Sequence, residues 1–479
     1  MKTQSERRGN RKRAILLISS SLLVILGTAY YFNIREPEVV LYPVPSHPII
    51  LVGVDGLEWE VMLPMIKEGR LPIMTKLMKQ GVFGKLQTSK PTISPVIWTS
   101  IATAKTPKEH GIKGFTYSEK RNSRRKLYTN GDRKTKAFWN ILTDHNFTVH
   151  CVGWWMTFPV DRINGIMVAQ TNTSSQINKD KDGMVWKGGI LKGLPGQVHP
   201  DSLQNKIMAI AEGVESDLPL LTESIFGKFV HPISELNRNL WSNTQWAFRA
   251  DAIYLRVAEY ILESGEPYDL LAIYFGGTDV VGHRFWRYMR PDDYRHRPTD
   301  EEIEDFGDII EDYYTFIDTV IGQLLGKQPV DTTIFIISDH GMYAVNRDQF
   351  FSPNEPFTQV NSGHHHSEPP GVIIAAGRYI RPNALLDHDG LNSSDLPVVG
   401  SIYDITPTIL TLKGIPVGSD MKGKVLKNIL DGRFLEKYPV KTVKTHDTND
   451  WLSNRPRQVE DASAQEERME QLRSLGYIQ

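Results

Sequence analysis

The sequence predicts an α/β fold: a mainly parallel central sheet sandwiched by helices, with an inserted cap region and an N-terminal anchor or signal segment. Three observations carry that expectation. First, "PIILVGVDG", "YDLLAIYFGG" and "TTIFIISDHGM" are short, nearly continuous apolar runs, the pattern of strands buried on both faces. Second, segments with apolar residues at helical spacing lie between them, such as "TDEEIEDFGDIIEDYYTFIDTVIGQLLGK", whose other face is acidic. Third, 479 residues at 40% hydrophobic and 23% charged supply core for one large domain, or one domain with an insert.

The N-terminal element differs from the rest. Arg7, Arg8, Arg11, Lys12 and Arg13 precede residues 14–32, "AILLISSSLLVILGTAYYF", which hold no charge. That run has the length of a membrane-spanning helix. The basic cluster predicts a cytoplasmic tail within residues 1–33, with everything after it extracytoplasmic. Gly27-Thr28-Ala29 offers a cleavage site, and cleavage there would yield a secreted protein. The run is long for a signal core, which favours an uncleaved anchor.

Residues 34–46 read as a Pro-rich linker. Residues 47–440 read as the main domain, opening with a buried strand, a turn and an amphipathic helix over 48–81. Within it, about 116–260 includes an insert or cap, and residues 441–479 form a polar tail with a peripheral helix. A net charge of -1 and a pI near 6.9 give no electrostatic case for a nucleic acid partner. The single cysteine, Cys151, excludes an intrachain disulfide and any Cys-rich zinc site. Its setting, "TVHCVGWW", predicts an inert thiol on a buried strand.

The chemistry gathers at strand ends. "ILVGVDG" finishes at Asp55, "LLAIYFGGTDVVGH" at Asp279 and His283, and "TTIFIISDHG" at Asp339 and His340. Asp279 and His283 are spaced to share one face of a helical turn. A fourth segment, "NSGHHHSEPPG", adds His364, His365 and His366. Taken singly, an Asp after a strand is a turn or cap residue, Asp-x-x-x-His a surface pair, and three histidines in a Gly/Ser loop a solvated patch. Taken together, three apolar strands ending in ligand-type residues point to divalent metal; imidazole and carboxylate without thiolate suit zinc, and also manganese or iron. Gly341 is expected to let the backbone turn away beside such an ion. Thr92 and Ser94 precede the helical "VIWTSIATA", where a hydroxyl meets the positive end of the helix dipole and free N–H groups, the setting for an activated nucleophile or for a plain helix cap.

With these residues assembled, the chain resembles the type I phosphodiesterase/nucleotide pyrophosphatase branch of the alkaline phosphatase superfamily. The resemblance runs in order through "VGVDGLEWEVM", "PTISPVIWTSIATAKTPKEHGI", "YFGGTDVVGHRFW", "ISDHGM", "SGHHHSEPPGVIIAAG" and "SIYDITPTILTLKGIPV". It implies an alkaline phosphatase-like sheet and two divalent metals about 4 Å apart, zinc above all. Mapped onto this chain, one metal is held by Asp55, Asp339, His340 and the nucleophile, the other by Asp279, His283 and a loop histidine. The family pattern puts the nucleophile on Ser94, with Thr92 the alternative, and the loop ligand on His365, with His364 the alternative; His366 falls outside.

The implied reaction is hydrolysis of a phosphodiester or phosphomonoester through a phosphoseryl intermediate, on a small molecule, a lipid head group or a glycan. A head-group transferase acting on lipid or glycan, and a non-catalytic metal-binding scaffold, are the competing readings. The chain departs from the family at Phe115, where nucleotide pyrophosphatases carry Asn, and at Ala104, where they carry Gly. "SPVIWTS" has neither the Cys nor the Arg of a sulfatase motif.

Overall fold

Nine strands build the central sheet of the computed structural model: β1 (Ile49–Val54), β2 (Val82–Gln87), β3 (Val149–Val152), β4 (Met167–Val168), β5 (Val198–His199), β6 (Leu270–Phe275), β7 (Thr333–Ile337), β8 (Gly371–Gly377) and β9 (Val398–Ser401). The structure describes residues 43–118, 126–170, 190, 195–226, 240–242, 244–329, 331–345, 362–382, 391–448 and 451. Strand order is β9-β2-β8-β7-β1-β6-β3-β4-β5. β8 runs antiparallel to both neighbours and β5 antiparallel to β4, while every other pairing is parallel. Every residue of β1, β6 and β7 is buried. These three apolar runs are therefore covered on both faces, as their sequence predicts.

Register explains why the ligand-type residues meet. β7, β1 and β6 are adjacent and parallel, and Gly53 of β1 pairs with Tyr274 on one side and Ile337 on the other. Neighbouring strands lie about 4.8 Å apart, so residues just past these three ends share one edge of the sheet. Asp55 follows β1, Asp339 follows β7, and Asp279 lies in the helix that follows β6.

The helices used below are α1 (Trp59–Lys67), α2 (Pro72–Gln80), α3 (Ser94–Thr103), α4 (Gln245–Glu263), α5 (Gly277–Met289) and α6 (Ile309–Gly326). The single amphipathic helix expected after β1 is in fact two, α1 and α2. Gly69 adopts a left-handed φ of 76° just past α1, and Pro72 occupies the first turn of α2. Each of those residues breaks a helix, and together they override the continuous apolar periodicity.

Within 116–260, β3, β4 and β5 enter the central sheet rather than standing apart from it. Cys151 sits on β3, fully buried, and burial pushes its thiol pKa up, in line with an inert role. Among the described residues no helix is long and apolar enough to cross a membrane. The anchor or signal expected at 14–32 and most of the 441–479 tail lie outside those residues.

Candidate active site

The edge formed by β7, β1 and β6 carries six of the expected groups on four chain segments. His340 Nε2 lies 3.3 Å from Asp55 Oδ1, 3.3 Å from Asp339 Oδ2 and 4.0 Å from Asp279 Oδ1. On α5, Asp279 and His283 share one face, as their four-residue spacing predicts, with His283 Nε2 3.3 Å from Asp279 Oδ1. His365 arrives from the loop: its Nε2 is 3.2 Å from His283 Nε2 and 3.9 Å from Asp279 Oδ1. Its ring stacks on His340 at 3.8 Å between centroids. Of the three adjacent histidines only His365 is buried among these groups; His364 is half-buried and His366 exposed.

The imidazoles are oriented by backbone carbonyls. His283 Nδ1 is 2.7 Å from Gly363 O and His340 Nδ1 is 2.9 Å from Gly341 O. A carbonyl can only accept, so each Nδ1 carries a proton and each Nε2 is turned toward the carboxylates.

Electrostatics make the cluster costly as it stands. Asp55, Asp279 and Asp339 are at most 2% exposed. Burial and the neighbouring Asp55 carboxylate push the Asp339 carboxyl well above its usual range. Burial also opposes a charge on His340, but Asp339 and Asp55 outweigh it and hold the imidazole up at about 10. Asp279 goes the other way: burial works against its charge, but His283, His365 and His340 hold its carboxyl low.

The same crowding leaves polar atoms unmatched. Asp55 Oδ1, Asp339 Oδ2 and His340 Nε2 are buried without a hydrogen bond among the described residues. Ligand atoms of Asp279, His283 and His365 lie within 4.8 Å of one another, as do those of Asp55, Asp279 and His340. Buried carboxylates that face each other and imidazole lone pairs are offset by a divalent cation. Oxygen and imidazole donors without thiolate fit zinc, manganese or iron.

The two hydroxyl candidates lie at and just before the start of α3, the helix whose Trp98 reaches this edge. Ser94 is the first residue of α3 and is 1% exposed. Thr92, two residues earlier, is also buried, with no hydrogen bond to its Oγ1 among the described residues. One turn beyond Ser94, Trp98 Nε1 donates to Asp55 Oδ2 at 3.0 Å, which ties α3 to the carboxylate cluster. Pro95 suits the first turn of α3 because its missing N–H has no partner to lose there.

Four supporting residues escaped the sequence reading. Tyr274 donates to Asp55 Oδ2 at 2.7 Å, and Trp98 makes the bond just described. Asp251 on α4 accepts from Gly276 N and Gly277 N, each at 2.9 Å, and from Tyr313 OH of α6 at 2.7 Å. It thereby caps the start of α5, two residues ahead of Asp279. Glu58 accepts from Met342 N at 2.9 Å and Glu60 N at 3.1 Å, pinning the loop behind His340. Burial raises its carboxyl to about 7.

Glu58 also corrects the expectation for Gly341. Gly341 is not in the left-handed region, and a Cβ there would run into Glu58 Oε2. It is glycine because a carboxylate passes against it. Only "LEWE", with its Glu at a helix cap, hinted at that carboxylate.

Phe115, at the place of the family's Asn, packs away from polar work. It forms a small apolar cluster with Leu127, Ile93 and Trp155, its ring 5.7 Å from that of Trp155.

The family described as type I phosphodiesterase / nucleotide pyrophosphatase matches residues 49–395. No curated protein matches the chain. Among solved structures, the chain is similar to phosphonoacetate hydrolase from Sinorhizobium meliloti 1021, at 15% identity and a TM-score of 0.36, over 67% of this chain and 63% of that one. It thus spans less than two thirds of that enzyme's length. It is also similar to murine ectonucleotide pyrophosphatase / phosphodiesterase 5, at 10% identity and a TM-score of 0.42, over 80% of this chain and 100% of the other. A third similar structure is the alkaline phosphatase PafA, at 13% identity and a TM-score of 0.49, over 81% of this chain and 100% of that chain.

Proposed function

This chain belongs to the type I phosphodiesterase / nucleotide pyrophosphatase family, and on that premise we propose that it cleaves a phosphodiester or phosphomonoester with Ser94 as nucleophile and two divalent cations. Hydrolysis of phosphoric ester bonds is the family's chemistry. The observation that supports the finer reading most is the pair of overlapping ligand groups, Asp55/Asp279/His340 and Asp279/His283/His365, buried at one edge of the sheet.

In this reading Asp55, Asp339, His340 and Ser94 Oγ would hold one cation, and Asp279, His283 and His365 would hold the other. When bound, the cations supply positive charge for the phosphoryl oxygens and a hydrolytic water of lowered pKa. Ser94 Oγ, at the positive end of α3, gives up its proton to water and attacks phosphorus; the Oγ–P bond forms as the bond to the leaving oxygen breaks, and that oxygen takes up a proton from water. Water then attacks the phosphoseryl group, the Oγ–P bond breaks, and Ser94 recovers its proton. Two in-line displacements give retention at phosphorus. Burial of the site excludes other water, and the backbone carbonyls of Gly341 and Gly363 keep His340 and His283 aimed. The substrate classes compatible with this reading are small phosphoesters, lipid head groups and glycan phosphates.

The proposal extends to location. Residues 14–32 form the anchor, and the catalytic part lies outside the cytoplasm, whether periplasmic, extracellular or lumenal; cleavage after the segment would release it. A C-terminal fusion to a reporter that is active only in the cytoplasm, found active, would refute this.

The central test uses the full chain in detergent, stripped of metal and reloaded with zinc or manganese. Turnover of bis-p-nitrophenyl phosphate and p-nitrophenyl phosphate is measured alongside Ser94→Ala. We expect metal-dependent turnover and a loss of at least about 10³-fold in the variant. Unchanged turnover in Ser94→Ala, or no ester cleaved by metal-loaded protein, would sink the reading.

A further inference from the structure

Among the described residues, two hydrogen bonds to the side chain of Asp55 converge on the same oxygen. Tyr274, on the neighbouring strand β6, donates to Oδ2 at 2.7 Å, and Trp98, on α3, donates to it at 3.0 Å. Oδ1 receives neither and faces His340 Nε2 at 3.3 Å. All three side chains are buried. A carboxylate at the end of a strand can turn about its own bonds and offer an ion one oxygen or both. Two fixed donors on one oxygen remove that freedom.

We infer that Trp98 and Tyr274 are positioning residues: they hold Asp55 as a one-oxygen ligand and lock the helix of Ser94 to the metal centre. This rests on the two-cation reading above. Trp98 is four residues beyond Ser94, hence on the same face of α3. Its indole hydrogen bond links the nucleophile's helix directly to a proposed ligand.

The surroundings are built to admit that indole. A Cβ on Gly53 would come within 2.6 Å of Trp98 Cζ3, so only glycine at this point of β1 leaves the ring its path to Asp55. Trp154 donates its Nε1 to Trp98 O at 3.2 Å and packs edge-on against the ring at 5.0 Å. Tyr274 packs edge-on from another side at 5.2 Å. The indole is thus held on its carbonyl and on its faces, which fixes where its N–H points.

The test is zinc affinity of the full chain in detergent, by competition with a chromophoric chelator, for wild type, Tyr274→Phe and Trp98→Phe. Each substitution removes one donor and keeps an aromatic ring. Loss of a partner that orients a ligand weakens metal binding by about 10–100-fold. We expect that loss for one of the two ions, with the second bound as in wild type, and kcat reduced by about the same factor while KM moves little. Trp139→Phe is the control: it removes an indole donor to Asp161 at 2.8 Å, away from the site, and leaves both affinities unchanged.

Tyr274→Phe carries the test alone should Trp98→Phe fail to fold. Tyr274→Phe and Trp98→Phe proteins that hold both ions as tightly as wild type overturn the inference while leaving the two-cation reading intact. Wild type that binds no zinc overturns the reading itself, and this inference with it.

Discussion

Two buried charged clusters in this molecule solve opposite problems. Around Arg133 the charges are matched from within. Its guanidinium donates to Asp161 Oδ2 at 2.6 Å, to Asn130 Oδ1 and Asn140 Oδ1 at 3.1 Å each, and to Thr135 O. Trp139 Nε1 adds a donor to the same Asp161 oxygen. At the sheet edge, by contrast, three carboxylates crowd three imidazoles and leave Asp55 Oδ1, Asp339 Oδ2 and His340 Nε2 without hydrogen bonds among the described residues. A closed network of this kind holds loops in place; an open one of acceptors is a receptor for positive charge. Burial alone does not separate the two, since both are buried; the balance of donors against acceptors does.

Substitution should break that contrast cleanly. The largest effect expected is Asp339→Asn, which removes a proposed ligand. Zinc binding at the Asp55/His340 side should be lost and ester turnover should fall by at least about 10³-fold, read by metal analysis and steady-state kinetics. The metal-free variant should nevertheless be no less stable than metal-free wild type, because an amide relieves repulsion with Asp55. Thermal unfolding with chelator present checks this, and a clear drop in midpoint would mean that the carboxylate is satisfied without metal.

Arg133→Met reverses the pattern. It strands Asp161 in the interior, at a cost of about 3–5 kcal/mol. Denaturant unfolding should show that loss, while zinc affinity of the folded protein stays at the wild-type value.

A pH series sharpens the same comparison. Asp339 has a folded pKa above its unfolded one, so the folded state binds the extra proton and stability falls as pH rises through that window. His340 is held up at about 10 against an ordinary 6.5, so its contribution is full below about 6.5 and is lost as pH rises through 10. Both act in one direction. The thermal midpoint of metal-free protein should therefore decline from about pH 7 to 10. Saturating zinc should remove most of the decline, since the bound ion takes over from the protons. A flat metal-free profile would count against the charge assignments.

The sequence made the candidate ligands readable because they sit where a strong local signal stops. An apolar strand is easy to see; Asp55 is the first polar residue after one, Asp339 and His340 follow another with only Ser338 between, and Asp279 and His283 add helical spacing. The mainly parallel sheet followed from the same runs. What supports the ligands was not readable, for a physical reason. Tyr274 and Trp98 look like ordinary strand and helix aromatics, and their polar atoms matter only because β1, β6 and α3 meet. Asp251 is 26 residues from Gly277 in sequence, and nothing local says that it caps α5. Glu58 and Gly341 explain each other only across 283 positions. The break between α1 and α2 was within reach, since Gly69 and Pro72 are helix stops; continuous apolar periodicity masked them.

The smallest effect expected concerns Ala104, where the family carries glycine. Ala104 closes α3 with φ 54° and ψ 27°, donating its N–H to Ser100 O. The left-handed region costs a residue with a Cβ about 1 kcal/mol, and glycine nothing. Ala104 is fully buried, so Ala104→Gly also gives up a packed methyl group, which offsets part of the gain. The net should be a stabilisation below about 1 kcal/mol, or a rise in thermal midpoint of no more than about 2 °C. Because the change lies at the far end of α3 from Ser94, kcat and zinc affinity should not move. If turnover changes while the midpoint stays put, the C-terminal end of α3 is coupled to the nucleophile, and the indole of Trp98 is not the only brace that sets Ser94 against the metal ligands.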